Sequence, residues 1–162
     1  MTNEIFSKIA QQLSEKGFTI ASSDFTRPWG GFFVIDESQT QKFIETYFPS
    51  LPANSLLQGA RLSPKILVVG PQKRLSWQYH FRRAEVWRVV DGPIAVAQSD
   101  TDEQTEPKTY QNGELITLKQ GERHRLIGLD KWGVVAEIWQ HTNADHPSDE
   151  SDIVRVQDDF SR

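Results

Sequence analysis

The sequence predicts a mainly β protein, a sandwich or barrel of the jelly-roll kind. From residue 65 onward, short apolar runs alternate with turn signals such as Gly92-Pro93 and Asn112-Gly113. Residues 99–107 hold four acids and no apolar residue, which indicates a solvated hairpin loop. Many short strands at close spacing are typical of jelly rolls and related barrels.

Two helices are predicted before these strands. Residues 2–16 carry an apolar stripe at helical spacing, and Gly17 suits the end of that helix. The stripe consists of Ile5, Phe6, Ile9 and Leu13. We expect this helix to pack on the barrel wall, with a homodimer contact as the alternative. Residues 38–48 predict a second helix, which Pro49 stops, and which serves either as a structural addition or as a lid.

The strands are predicted from apolar runs and alternation. One follows a turn at residues 27–30 and covers residues 32–35. The others are predicted over residues 65–69, 75–80, 85–90, 94–98, 115–119, 124–129 and 134–141.

Composition places the chain among ordinary globular domains. A length of 162 residues is enough for one domain with a core, and a net charge of −4 argues against general nucleic-acid binding. The absence of cysteine excludes disulfides and thiolate zinc sites. No apolar run approaches the ~20 residues of a membrane span, and the N-terminus lacks a signal-peptide pattern. A cytoplasmic location is therefore expected, with no membrane partner.

Four side chains form a candidate metal site. Gln78 and His80 are two residues apart, so a strand presents both on one face. Glu85 would fall on the other face of an unbroken strand, but a turn or bulge through residues 81–84 brings it back beside His80. His124 comes from a distant segment. A mixed nitrogen and oxygen ligand set suits a single divalent ion such as zinc, with iron, manganese and nickel as alternatives.

The segment around these residues is locally basic. Between Arg61 and Arg88 there are seven basic residues, and Glu85 is the only acid. This charge fits a small anionic substrate, because guanidinium groups bind phosphate well. The competing interpretation is that alternate basic side chains face solvent, as expected for Arg88.

Both metal-site segments resemble the two motifs of the cupin superfamily. The first motif, G-x5-H-x-H-x3,4-E-x6-G, is matched by His80, Glu85 and Gly92, with Gln78 at the first His and Gln72 at the first Gly. The second, G-x5-P-x-G-x2-H-x3-N, is matched in spacing by three residues, Gly113, Gly121 and His124. Lys119 replaces its Pro and Gly128 its Asn.

A closer resemblance is to the cupin domain of the type II (bifunctional) phosphomannose isomerases. It rests on five segments, which are Arg27-Pro28-Trp29-Gly30, Arg74-Leu75-Ser76, Arg83-Ala84-Glu85, His124-Arg125-Leu126 and the tail at residues 152–162. The resemblance covers residues 27–162, with an apparent insertion between Asp36 and Lys65. It implies a cupin jelly-roll barrel (double-stranded β-helix) over residues 27–162, preceded by a helical extension at residues 1–26. The chain has no room for the nucleotidyltransferase domain of that family, so we expect that activity to be absent.

The resemblance also implies an activity and a set of site residues. It implies zinc held by Gln78, His80, Glu85 and His124, and isomerisation of mannose 6-phosphate to fructose 6-phosphate through a metal-stabilised cis-enediol. The catalytic candidates are Arg83 and Glu137, the latter because it is in phase with Trp139 on the last long predicted strand. The candidates for substrate binding are Arg27, Arg74 and Arg125. The sugar phosphate is the expected small-molecule partner.

The same residues allow two alternative functions. A non-catalytic, metal-containing cupin that binds a sugar or sugar phosphate is favoured by departures from the motif, chiefly Phe81 and Arg82, where the family usually has further His residues. A cupin oxygenase is disfavoured by Gln78 in place of His and by the family-like tail.

Overall fold

Two antiparallel β-sheets form the protein, and two helices cover the outside of one of them. The computed structural model describes residues 2–51, 56 and 60–160. Helix α1 is Thr2–Glu15, and α2 is Thr40–Tyr47 after a short 3-10 helix at Glu37–Gln39. The strands are β1 (Ile20–Arg27), β2 (Gly30–Ile35), β3 (Leu62–Val69), β4 (Trp77–Tyr79), β5 (Arg83–Asp91), β6 (Ile94–Ser99), β7 (Lys108–Tyr110), β8 (Leu115–Leu118), β9 (Arg123–Gly128), β10 (Gly133–His141) and β11 (Val154–Gln157). The prediction of a mainly β fold with two helices is confirmed.

The strand order fixes which residues face each other. The larger sheet runs β1-β2-β3-β10-β5-β8 and the smaller runs β11-β4-β9-β6-β7. Within the larger sheet, Glu137 of β10 lies between Lys65 of β3 and Trp87 of β5. In the smaller sheet, Gln78 of β4 pairs with His124 of β9. Because side chains alternate along a strand, these strand pairings place polar groups on the inner faces of both sheets.

An apolar core fills one part of the space between the sheets. It combines residues of the larger sheet with residues of the smaller one. The buried members are Phe32, Leu67, Val69, Trp87, Val89, Ile94, Val96, Tyr110, Ile116, Leu118, Leu126 and Val135. Beyond this core the inner faces become polar, and the candidate site lies there.

A second core lies on the outside of the larger sheet, where both helices pack. Phe6, Ile9 and Leu13 of α1 and Phe43 of α2 are buried together with outward residues of the sheet such as Ile66. Full burial of each such side chain contributes roughly 1.5–3 kcal/mol. The lid role considered for the second helix is therefore wrong, because α2 lies on the face of the sheet opposite the inner space. The apolar stripe of α1 is used within this chain, and a homodimer stays a prediction.

The predicted helical extension, residues 1–26, is not separated from the barrel in the structure. Gly17 has a φ of +82° and its N–H donates to Ser14 O, while Phe18 N donates to Leu13 O. Only glycine adopts that conformation without strain, so the helix ends there as predicted. The expected boundary between residues 26 and 27 falls inside β1, and α1 shares its core with the sheet.

Three strands were not predicted, and each lies at the edge of a sheet. They are β1, β7 and β11. β1 is exposed along most of its length, and β7 has only three residues. Edge strands bury too few side chains to leave a period-two apolar pattern in the sequence. Among the described residues, no helix combines the length and apolar character needed to cross a bilayer.

Candidate metal centre and cavity

A polar cavity lies between the two sheets, next to the inner core. Its lining includes six of the predicted site residues beside Arg27, which are Gln78, His80, Arg83, Glu85, His124 and Glu137. Aromatic side chains, among them Phe32, Trp87 and Trp139, form much of the remaining wall. The cavity thus combines charged groups with low-dielectric surroundings, in which electrostatic interactions are strong.

His80, Glu85 and His124 form a compact, buried group of metal-capable side chains. Their ligand atoms all lie within 4.8 Å of one another, and His80 Nε2 is 3.2 Å from Glu85 Oε2. The three residues are between 2% and 4% exposed. Two imidazoles and one carboxylate in this arrangement are a suitable ligand set for a divalent ion.

Two turns bring these residues together from β5, from β9 and from the position that directly follows β4. The carboxylate of Asp152 accepts hydrogen bonds from the backbone N–H of Phe81 and Arg82, which fixes the turn between β4 and β5. Gly121, with a φ of +77°, donates its N–H to His80 O and leads the chain into β9. The turn through residues 81–84 was predicted because Glu85 is out of phase with His80, and the structure places the two side chains in contact.

Backbone carbonyl groups orient both imidazole rings. His80 Nδ1 lies 2.6 Å from Asp152 O, and His124 Nδ1 lies 3.0 Å from Glu122 O. Because a carbonyl oxygen can only accept, each Nδ1 carries the proton and each Nε2 keeps its lone pair. Burial lowers the pKa of His80 to about 3 and also lowers the pKa of His124. Both rings are therefore neutral at pH 7, the form that binds metals.

Gln78 completes the predicted ligand set. Its side-chain Nε2 donates to Ser76 O over 3.2 Å, and the residue is buried. This bond uses the amide nitrogen, so Oε1 is the atom available to a metal or a substrate. The pairing of Gln78 with His124 across β4 and β9 puts both side chains on the same side of the sheet.

Arg83 contacts the same atoms that would bind a metal. Its Nε donates to Glu85 Oε2 over 2.8 Å, and its Nη2 lies 3.2 Å from His80 Nε2. The guanidinium also lies over the Trp139 ring at 3.6 Å and donates from Nη1 to Ser148 Oγ. The donor set fits a divalent ion, since bonds of about 2.1 Å in a tetrahedron separate neighbouring ligand atoms by roughly 3.4 Å. Metal binding requires Arg83 to release His80 Nε2.

Glu137 lies deeper, between two indoles. Its Oε2 accepts a hydrogen bond from Trp87 Nε1 and its Oε1 accepts one from Trp139 Nε1. Burial, together with the nearby charge of Glu85, raises the pKa of Glu137 well above its usual range. Burial would also raise the pKa of Glu85, but the Arg83 guanidinium holds that pKa well below its usual range. The pKa values of the two neighbouring carboxyls are thus shifted in opposite directions, a pattern in which two carboxyls can take different roles.

Of the three arginines expected to bind substrate, only Arg27 lines the cavity. Arg74 forms a two-bond ion pair with Asp159 at 2.6 and 2.9 Å, and it does not reach the cavity. Arg125 is fully buried and donates to Leu75 O and Gln157 O. The structure does not bring Arg74 and Arg125 to this cavity, because both guanidinium groups tie parts of the chain together. Arg125 follows His124 in a regular strand and so faces away from it.

Three further charged residues line the cavity and were not singled out from the sequence. Lys65 lies on β3, Glu150 lies on the connector that follows β10, and Arg155 lies on β11. The sequence signal for Lys65 is that a lysine directly precedes the apolar run of a buried strand, where a charged residue is unusual. Phe81 and Arg82, which depart from the family motif, do not line the cavity, and Phe81 is 58% exposed.

A family model described as the C-terminal part of mannose-6-phosphate isomerase matches residues 36–158. Among curated proteins, the alginate biosynthesis protein AlgA of Pseudomonas aeruginosa is 34% identical over 125 residues, which cover 77% of this chain and 24% of that protein. The protein of the same name from Pseudomonas putida is 31% identical over 132 residues, covering 80% and 26%. The chain therefore spans about a quarter of the length of these relatives.

Solved structures show the same fold at low sequence identity. The vicilin of hazelnut (Corylus avellana) is 19% identical with a TM-score of 0.56, over 86% of this chain and 36% of that one. The capsular polysaccharide assembling protein CapF of Staphylococcus aureus is 13% identical with a TM-score of 0.54, over 86% and 34%. These likenesses agree with the predicted cupin jelly-roll barrel.

Proposed function

The chain belongs to the mannose-6-phosphate isomerase C-terminal family, and on that premise we propose that it is a metal-dependent sugar-phosphate isomerase. The proposed substrates are mannose 6-phosphate and fructose 6-phosphate. The observation that carries the proposal is the buried group of His80, Glu85 and His124, whose ligand atoms lie within 4.8 Å inside a cavity lined by cationic side chains.

The proposed metal is one zinc ion per chain, held by His80, Glu85, His124 and the amide oxygen of Gln78. A divalent ion bound there would supply Lewis acidity at the C1 and C2 oxygens of the open-chain sugar, and positive charge that favours the ionised form of Glu137. Each Nδ1–H donates to a backbone carbonyl, which supports this assignment because it fixes both imidazoles in the tautomer whose Nε2 carries the lone pair that a metal binds.

The chain's own residues are proposed to move the proton and to balance the charge. Glu137 is the candidate that exchanges a proton between C2 and C1, since it is buried, lines the cavity and is held by two indole N–H groups. Arg83 lies within reach of the same centre and can stabilise negative charge on the substrate oxygens. Arg83 lies over the Trp139 ring, and both line the cavity, so together they form part of the wall that a bound sugar would contact.

A second candidate is a non-catalytic cupin that binds a sugar phosphate. The observation that favours it is the closed network of Arg83, in which one guanidinium satisfies both Glu85 and the lone pair of His80. An internal cation at this place could stand in for the metal, leaving a binding site without Lewis-acid chemistry.

The test combines metal analysis with a coupled assay. We expect the purified protein to contain about one divalent metal ion per chain, and His80→Ala to remove it, because the substitution deletes a ligand. His146→Ala is the matched control, since His146 is exposed on the connector after β10. We further expect the metal-loaded protein to interconvert mannose 6-phosphate and fructose 6-phosphate.

Each outcome separates the two candidates. Metal-free protein after gentle purification, with no uptake of zinc, manganese or cobalt, would contradict the metal centre. Metal uptake without turnover, together with clear thermal stabilisation by sugar phosphates, would favour the binding function.

A further inference from the structure

Lys65 is a buried lysine on the inner face of β3. Its side chain is only 6% exposed, and its Nζ lies 4.1 Å from the centroid of Phe32 and 4.4 Å from that of Trp139. A buried ammonium group requires an anion, since burial of an unpaired charge is costly. The aromatic rings contribute cation–π attraction but do not neutralise the charge.

The anion in this structure is Glu150. Its Oε1 accepts a hydrogen bond from Lys65 Nζ at 2.5 Å, although the Glu150 side chain is 55% exposed. Glu150 lies on the connector between β10 and β11, outside the regular strands, and it also lines the cavity. A buried cation is therefore paired with a solvent-facing carboxylate that can turn away into water at little cost.

The place occupied by the Glu150 carboxylate suits an external anion. Arg27 also lines the cavity, and its guanidinium lies 5.5 Å from the centroid of Phe32, the ring that Lys65 contacts. The partner of Arg27 is Asp24, at 3.2 Å, in a pair that is about 30% exposed on both sides. Two cations that line the cavity thus lie near the same aromatic ring, and both of their carboxylate partners are accessible to solvent.

We propose that Lys65 and Arg27 form a subsite for a monoester phosphate, and that the Glu150 carboxylate occupies this subsite until a phosphate displaces it. The proposal rests on the proposed function in that the phosphate belongs to the sugar substrate. Phosphate forms stronger charge-assisted hydrogen bonds than one carboxylate oxygen does, because it offers more acceptor atoms and up to two charges. Glu150 then acts as an internal competitor that sets the affinity for phosphorylated sugars.

The experiment measures binding directly, by calorimetry on the whole chain with inorganic phosphate, mannose 6-phosphate and mannose. We expect Glu150→Gln to tighten binding of both phosphate ligands by about 2- to 5-fold, the range of a partly exposed ion pair. Lys65→Met is expected to weaken them by roughly 10- to 100-fold, as for loss of a charged hydrogen bond. Neither variant should change the weak binding of mannose. Glu106→Gln, an exposed glutamate outside the cavity lining, controls for the change in net charge.

The two proposals fail in different ways. Unchanged or weaker phosphate binding by Glu150→Gln would overturn the subsite. This holds even if the protein is an isomerase, in which case wild type and variant would have the same KM. Tighter phosphate binding by Glu150→Gln, together with weaker binding by Lys65→Met and no change in Glu106→Gln, supports the subsite whether or not the protein turns over its ligand. Unchanged phosphate binding by Lys65→Met would also overturn it.

Discussion

Replacing Arg125 by Met tests whether this buried arginine is structural. Arg125 donates from Nε to Leu75 O at 2.8 Å, from Nη1 to Gln104 Oε1 at 3.1 Å and from Nη2 to the backbone and side chain of Gln157. These bonds join β9 to the segment before β4, to the acidic hairpin loop and to β11. Met fills most of the volume but leaves these acceptors without a donor. Charged hydrogen bonds contribute about 1.5–3 kcal/mol each, and relief of the buried charge offsets part of their loss, so we expect a net destabilisation of about 3 kcal/mol.

The assay is thermal and urea unfolding of the Arg125→Met variant beside wild type. A loss of about 3 kcal/mol corresponds to a fall in Tm of roughly 6–12 °C for a domain of this size. Arg74→Met is the matched control, since its ion pair with Asp159 is partly exposed and should contribute at most about 1 kcal/mol. Equal stability of Arg125→Met and wild type, with weaker binding of sugar phosphate, would refute the reasoning and restore Arg125 to the substrate site.

Two further predictions concern the metal centre. In metal-free protein, the free energy of unfolding should fall as pH drops from 6.5 towards 3. The reason is that His80 binds a proton in the unfolded chain, whereas the buried ring, with its pKa of about 3, stays neutral. This difference lowers the free energy of unfolding by about 2 kcal/mol between pH 7 and pH 5. The measurement is urea unfolding at both pH values, and a His80→Asn variant that keeps the same pH slope would contradict it. Asp152→Asn should lower metal affinity by roughly 10- to 100-fold, because the carboxylate holds the Phe81–Arg82 turn next to the carbonyl that orients His80. Competition with a chelator measures this affinity, and an unchanged value would show that the turn holds without the charge.

The sequence indicated the candidate metal-site residues because they lie on strands, or directly next to one, with fixed spacing. Gln78 and His80 are two residues apart, and the odd interval to Glu85 requires a turn, which the structure contains. His124 was placed by motif spacing alone. Periodicity succeeds here because strand geometry decides the direction of each side chain.

The residues that sequence reasoning misplaced or missed depend on pairing between distant segments. Arg125 flanks a ligand in sequence, but a strand points it to the opposite face, where Gln157 of β11 binds it. Lys65 pairs with Glu150, which is 85 residues away. No local pattern carries such pairings, because the connector that holds Glu150 and the edge strand β11 show little apolar alternation.

The connector and strand from Ser148 to Gln157 have a consequence for the order of assembly. This segment supplies the carbonyl that orients His80, the hydroxyl that binds Arg83 and the carboxylate that pairs with Lys65. In chain order, its strand β11 follows every other strand of the two sheets. Most of the barrel can therefore pair its strands beforehand, while the groups that contact His80, Arg83 and Lys65 come from these later residues. A nascent chain that lacks them would have the other strands without the ordered polar contacts between the two sheets.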